Sequence, residues 1–274
     1  MHIISSKPLS LSTLKSIVFE GSAIELSDEV IQKIQECRDY LNQKIEATSD
    51  PIYGINTGFG SLCDVRIHSE NLTKLQENLV RSHACGTGDF VPQPIIKLML
   101  LLKIKSLSFG HSGIQLETVK RLVSFYNNDI LPVIYTQGSL GASGDLAPLA
   151  HLALPLIGEG MVWYKGVQTP ASKVLDIFDW TPITLQSKEG LALLNGTQFM
   201  TAYGVHSLLK SFKLSYMADL IGAMSLDAYD GRIEPFDPLV HLVRPHNGQI
   251  KTAERILSFL EDSELMQQPK KHVQ

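Results

Sequence analysis

Gly138-Ser139-Leu140-Gly141-Ala142-Ser143-Gly144-Asp145-Leu146-Ala147-Pro148-Leu149-Ala150-His151 is the stretch on which the reading of this chain turns. Three glycines, two serines and one acid fall within its first eight residues, and an alanine- and leucine-rich helix follows at once. Glycine permits φ values and backbone approaches that any side chain would block. The Ala142-Ser143-Gly144 triplet therefore allows the chain to react with itself. The Gly144 nitrogen attacks the Ala142 carbonyl carbon; loss of one water from that adduct and one from Ser143 leaves a conjugated imidazolone. Such a ring is a stronger electrophile than any ordinary side chain. The plainer reading is a turn in which Ser143 or Asp145 caps the following helix. A nucleophile elbow needs G-x-S-x-G, and Asp145 stands where the last glycine should be. A phosphate loop needs G-K-[ST], and no lysine follows.

Outward from this loop the chain reads as mainly α. Upstream, residues to about Leu26 look like a small hairpin. A helix then starts at a Ser27-Asp28-Glu29 cap, with Val30, Ile34, Cys37, Leu41 and Ile45 at helical spacing. Asp50-Pro51 ends it and leads into the glycine loop Tyr53-Gly54-Ile55-Asn56-Thr57-Gly58-Phe59-Gly60. A helix over residues 69–84 closes at a second such loop, Ser82 to Gly88. Pro94 opens a helix to about Phe109 that is apolar nearly all round and so should be buried. Another helix spans 115–127, and 131–135 is extended.

Downstream, 161–167 reads as a hairpin, and a short helix begins at Thr169-Pro170. From Gln186 the chain is helical to about Asp230, broken only near Leu194-Asn195-Gly196-Thr197-Gln198. A last helix, 249–260, precedes a polar tail. A helix as long and apolar as this one needs partners of similar length, which points to a large bundle. The division expected is an N-terminal domain, 1–200, that carries the glycine loops, and the start of a central helical bundle, 201–274.

Composition narrows the function. The chain has 274 residues, 44% of them hydrophobic, and a formal net charge of −4. That supports a sizeable core and gives no argument for nucleic acid or a membrane surface. No apolar run suits a transmembrane helix or a signal peptide. Cys37, Cys63 and Cys85 lack paired spacing, and no H-E-x-x-H occurs, so neither disulfide nor metal is expected. No nucleotide fingerprint follows a strand either. A soluble, reduced, cytoplasmic protein is expected.

Three glycine-rich segments, Tyr53 to Gly60, Gly138 to Leu149 and Leu194 to Gln198, together and in order resemble the aromatic amino acid ammonia-lyase family. Ser82-His83, the Leu-Asn-Gly-Thr-Gln form of the third segment, and Arg244-Pro245-His246-Asn247-Gly248-Gln249 look most like its histidine-acting branch. The resemblance implies an aspartase/fumarase-like helical fold. It also implies a 4-methylideneimidazol-5-one group made autocatalytically from Ala142, Ser143 and Gly144, with no metal or nucleotide. The reaction implied is elimination of ammonia from L-histidine to give trans-urocanate, the first step of histidine degradation. Tyr53 is then the base, which needs its pKa brought down from about 10. Asn195 holds the prosthetic-group carbonyl or the substrate amine, and His83 the substrate imidazole. Asp145 orients the helix start or assists cyclisation.

Each residue also has a plainer reading: a packed loop aromatic for Tyr53, a helix cap for Asn195 and a dipole-stabilised helix end for His83. Family members are longer and form tetramers whose sites mix loops from several subunits. This chain lacks the later region that carries a second tyrosine, an arginine and a glutamate, so the reading includes an incomplete, inactive fragment. Asn247 stands where the histidine enzymes often have proline. The alternatives are a tyrosine or phenylalanine ammonia-lyase or aminomutase of the same family, a non-catalytic helical interaction module, and, weakest, a phosphate-binding protein.

Overall fold

The computed structural model describes residues 1–47, 50–60 and 65–269. Cys63 and the last residues of the polar tail lie outside them. The chain is mainly α and divides into two compact units, Met1–His206 and Ser207–Gln274.

The first unit opens with β1 (His2–Ile4) and β2 (Ile24–Leu26), paired in parallel with His2 opposite Ile24. The expected hairpin is wrong here. Parallel strands need a crossover, and α1 (Leu11–Phe19) supplies it, capped by Ser10, whose Oγ accepts from the Thr13 amide at 3.1 Å. The Asn127 carboxamide finishes the edge of β2: its Oδ1 accepts from the Ile24 amide and its Nδ2 donates to the Ile24 carbonyl, both at 2.9 Å. Helix α2 (Asp28–Ala47) starts as read, the Val30 amide donating to Ser27 Oγ at 3.3 Å. Its buried face runs through Val30, Ile34, Arg38 and Leu41; Arg38 takes the place expected of Cys37. The guanidinium is tolerated there because it donates to the Gly113 and Ser187 carbonyls at 3.0 and 2.9 Å.

Helix α3 (Leu72–His83) runs into β3 (Thr87–Phe90), the buried α4 (Gln93–Leu107) and then α5 (Leu116–Asn127). Eight apolar residues of α4 are buried, at roughly 1.5–3 kcal/mol each, and Lys103 and Lys105 are buried with them. A three-stranded sheet has the order β4 (Leu131–Pro132), β6 (Met161–Tyr164), β7 (Val167–Pro170). Lys165 and Gly166, both at positive φ, make the tight β6–β7 turn. The helix expected from Thr169-Pro170 begins just beyond them, as α7 (Ala171–Ile177).

Strand β5 (Tyr135–Gln137) pairs antiparallel with β3, Thr87 opposite Gln137 and Phe90 opposite Tyr135. This pairing, not read from the sequence, lays the segment after α3 beside the one that enters Gly138. The opening loop then feeds α6 (Leu146–Ala153). The helical run from Gln186 is two helices, α8 (Glu189–Leu194) and α9 (Gln198–Ala228). Between them Asn195 is extended and Gly196 has a φ of 147°, a conformation no helix passes through. The second unit holds most of α9, α10 (Pro238–Leu242) and α11 (Asn247–Leu260), around a small core of Ala223, Ile256, Leu260 and Met266. Among the described residues no helix is long and apolar enough to cross a membrane.

Candidate active site

The loop after β5 is folded against the break between α8 and α9. Gly144, at a φ of 92°, forms a parallel bridge with Gly196, and a Cβ on Gly144 would lie 2.1 Å from the Gly196 carbonyl oxygen. Only glycine fits. The next amide, Asp145 N, donates to that same oxygen at 2.7 Å. Asp145 is buried, and neither it nor Ser143 is seen to cap α6, as the plain turn reading expected. Instead its carboxylate accepts from Ser139 Oγ at 2.7 Å and from the Met200 amide at 3.0 Å. It therefore caps α9, where the negative charge meets the positive end of a 31-residue helix. A cap reaching across the chain in this way leaves no local spacing to read.

The α8–α9 break is held from beneath. Lys103, at 1% exposure, donates from Nζ to the Asn195 carbonyl at 3.0 Å. Burial alone pushes its pKa down to about 7. Asn195 closes α8: its amide and its Nδ2 both donate to the Leu191 carbonyl, at 3.0 and 3.2 Å.

His83 ends α3 and is half-buried. Its Nδ1 lies 2.8 Å from the Leu79 carbonyl. Since a carbonyl only accepts, Nδ1 carries the proton, and in the neutral ring the Nε2 lone pair is left for a donor. Together with Ala142, Ser143, Gly144, Cys85 and Leu146, His83 lines a cavity of about 170 Å³. The two walls are tied by β3–β5 pairing and by His151 of α6. His151 Nε2 accepts from the Gly86 amide at 3.0 Å, and its ring stands edge-on to Tyr135, centroids 5.1 Å apart. Burial lowers the His151 pKa, which favours the neutral acceptor form. Sequence reading passed over both Lys103 and His151. The available signal was a cationic or basic side chain set within an apolar helix.

Tyr53 sits on a loop fastened to α8. Gly54, at a φ of 74°, packs so close to Leu191 that a Cβ there would fall 2.4 Å from Cδ2. Asn56 staples the loop, Oδ1 accepting from the Ile52 amide at 2.6 Å and Nδ2 donating to the Asp50 carbonyl at 2.9 Å. Tyr53 is 55% exposed, its ring edge-on to Phe59, and it is not among the residues lining the cavity. So His83 and the Ala142-Ser143-Gly144 triplet share one space. Asn195 does not line that space; it is the chain neighbour of Gly196, against which Gly144 packs, and Tyr53 shares only the α8 platform.

The family model described as aromatic amino acid lyase matches residues 9–274. The chain belongs to the aromatic amino acid lyase family. It is 44% identical over 265 residues to a histidine ammonia-lyase of Halalkalibacterium halodurans, covering 97% of this chain and 52% of that one. The crystal structure of histidine ammonia-lyase from Trypanosoma cruzi matches with a TM-score of 0.86 at 38% identity, over 95% of this chain and 51% of that chain. Tyrosine aminomutase from Streptomyces globisporus matches with a TM-score of 0.87 at 32% identity, over 94% and 48% respectively. The mainly helical fold is thus that of the aromatic lyases, and the resemblance carried by the three glycine loops holds. The chain spans about half the length of the curated relatives it matches.

Proposed function

We propose that this chain carries the electrophile-forming part of a histidine ammonia-lyase site, with Ala142, Ser143 and Gly144 closing into a 4-methylideneimidazol-5-one. The observation that supports it best is the contact of Gly144 with Gly196. It fixes one partner of the cyclisation in a conformation reserved for glycine, while Ala142 and Ser143 stay exposed at a cavity shared with His83. The three residues fit the group.

Elimination from L-histidine must remove a weakly acidic proton from the β-carbon and expel a poor leaving group from the α-carbon. When formed, the ring supplies an electrophile that draws electrons from the substrate and so eases departure of ammonia. Tyr53, as phenolate, takes the β-proton; the C–H electrons become the new C=C bond as the C–N bond breaks, giving urocanate and ammonia. The His83 Nε2 lone pair suits the N–H of the substrate imidazole. The Asn195 carboxamide suits the prosthetic-group carbonyl or the substrate amine, and Asp145 keeps the loop and α9 in register. The assembly proposed is a homotetramer.

Intact mass tests the chemistry: the mature chain should be two waters lighter than its sequence, and Ser143→Ala, which has no hydroxyl to eliminate, should never lose the second water. A full mass for the unaltered protein would leave a helical scaffold as the reading. The likeness to tyrosine aminomutase favours a second reading within the family, acting on tyrosine or phenylalanine. Incubation with L-histidine, L-tyrosine and L-phenylalanine while following conjugated acrylate absorbance decides between them, histidine being the substrate expected.

A further inference from the structure

We propose that Lys103 is a positioning residue for ring closure: its ε-amino group holds the Asn195 carbonyl and so fixes the Gly196 backbone on which Gly144 is folded. The inference rests on the ring-forming role given above to Ala142-Ser143-Gly144.

Lys103 lies in the buried helix α4, and its neighbours Leu100, Leu101 and Ile104 are fully buried. Among the described residues it has no ion pair. A methionine would fill the same space without the cost of a buried amine, so packing gives no reason for a lysine here. The single hydrogen bond of its Nζ does. Helix α8 ends at Leu194, and the last carbonyls of a helix have no partner of their own. Lys103 takes up the Asn195 carbonyl from inside the core.

One residue further on, Gly196 offers the carbonyl that accepts from Asp145 and against which Gly144 is packed. On the far side the α9 cap by Asp145 holds the other end of the break. Residues 195–197 are therefore pinned at both ends, and the wall behind Gly144 is rigid. Ring closure brings the Gly144 nitrogen onto the Ala142 carbonyl carbon, a step whose rate depends on how tightly the two are held. With the Lys103 donor gone, the Asn195 carbonyl is left unsatisfied and Gly196 can shift away. The carbon and nitrogen then meet less often.

The test is Lys103→Met in the purified protein, with intact mass followed from synthesis onward and amide exchange read in parallel. K103M should keep its helical circular dichroism and lose its two waters about tenfold more slowly. Exchange should quicken at the amides of Asp145 and Gly196 and stay unchanged in α5, which a general loss of packing would not produce. A folded K103M that dehydrates at the unaltered rate overturns the proposal. Should K103M fail to fold, Lys103→Arg decides, since it keeps a donor: dehydration near the unaltered rate supports the proposal, and a folded K103R that stays at full mass overturns it. If the unaltered protein itself shows no loss of water, the ring reading is what fails. The exchange at Asp145 and Gly196 then still shows whether Lys103 fixes that backbone.

Discussion

At Gly144 fold and chemistry ask for the same residue, and two substitutions separate them. Gly144→Ala places a Cβ on the Gly196 carbonyl at a φ that side chains rarely adopt, so it should destabilise the chain by at least about 2 kcal/mol as well as block dehydration. Ser143→Ala should block loss of the serine's water without destabilising the chain, because Ser143 is exposed. Urea unfolding and intact mass on the two variants check this. Tyr53→Phe should do the reverse. Its mass stays two waters low, while turnover of L-histidine falls by about 10²- to 10⁴-fold for loss of a general base. Equal turnover would remove Tyr53 from the mechanism. Lys103 sets a pH dependence whose sign follows from its burial. In the unfolded chain it holds its proton up to about pH 10.5, and in the folded chain only to about 7. Between these values the unfolded state binds more protons, so stability rises with pH across that window, by at most about 1.4 kcal/mol per unit. K103M should lose this slope in urea titrations from pH 7 to 10. His151 acts in the same sense on the acid side, withdrawing stability as pH falls below 6.5.

At the scale of elements, the decisive contact is a cap made across the chain. Asp145 accepts from Met200, 55 residues away, and from Ser139. Asp145→Ala leaves a hydroxyl and the first turn of α9 without their acceptor, at a cost of about 1–3 kcal/mol. Asp145→Asn, which keeps one acceptor oxygen, should cost less; differential scanning calorimetry compares them. That contact also marks where the sequence stops being readable. Helices α2, α3, α4 and α5 were legible because their apolar residues recur at helical spacing and their starts carry serine, acid or proline. The β6–β7 hairpin was legible at 161–167, three residues short of the observed end of β7 at Pro170. The β1–β2 pair was not, since a nine-residue helix had to be recognised before a parallel pairing could be inferred. Strand β3 reads Thr-Gly-Asp-Phe, wholly exposed and without alternation, so nothing local announces its pairing with β5. The glycine loops were visible by composition, and their proposed chemistry by resemblance. What holds them, Lys103 beneath Asn195 and His151 beneath Gly86, depends on contacts 92 and 65 residues apart.

At the scale of the whole molecule, the apolar length of α9 raises the question of its partners, and its surface gives that question a location. Within the second unit Leu214, Met217, Ile221 and Met224 are 67%, 42%, 55% and 63% exposed. Their spacings of three, four and three residues put them along one side of the helix. Single exposed apolar residues are ordinary, but an apolar stripe of this length is rare on a monomer and marks an interface. Copies of the chain pairing along α9 would bury it, as the proposed tetramer requires. Replacing Ile221 and Met224 by glutamate puts two charges on the stripe without touching the first unit or any residue given a role in the chemistry. Sedimentation should then show the unaltered chain associating with rising concentration and the double variant remaining a single copy, with Ala142-Ser143-Gly144 dehydrated in both. An unaltered chain that stays monomeric at every concentration would reject self-association along α9. A double variant that associates as before would place the interface on another surface.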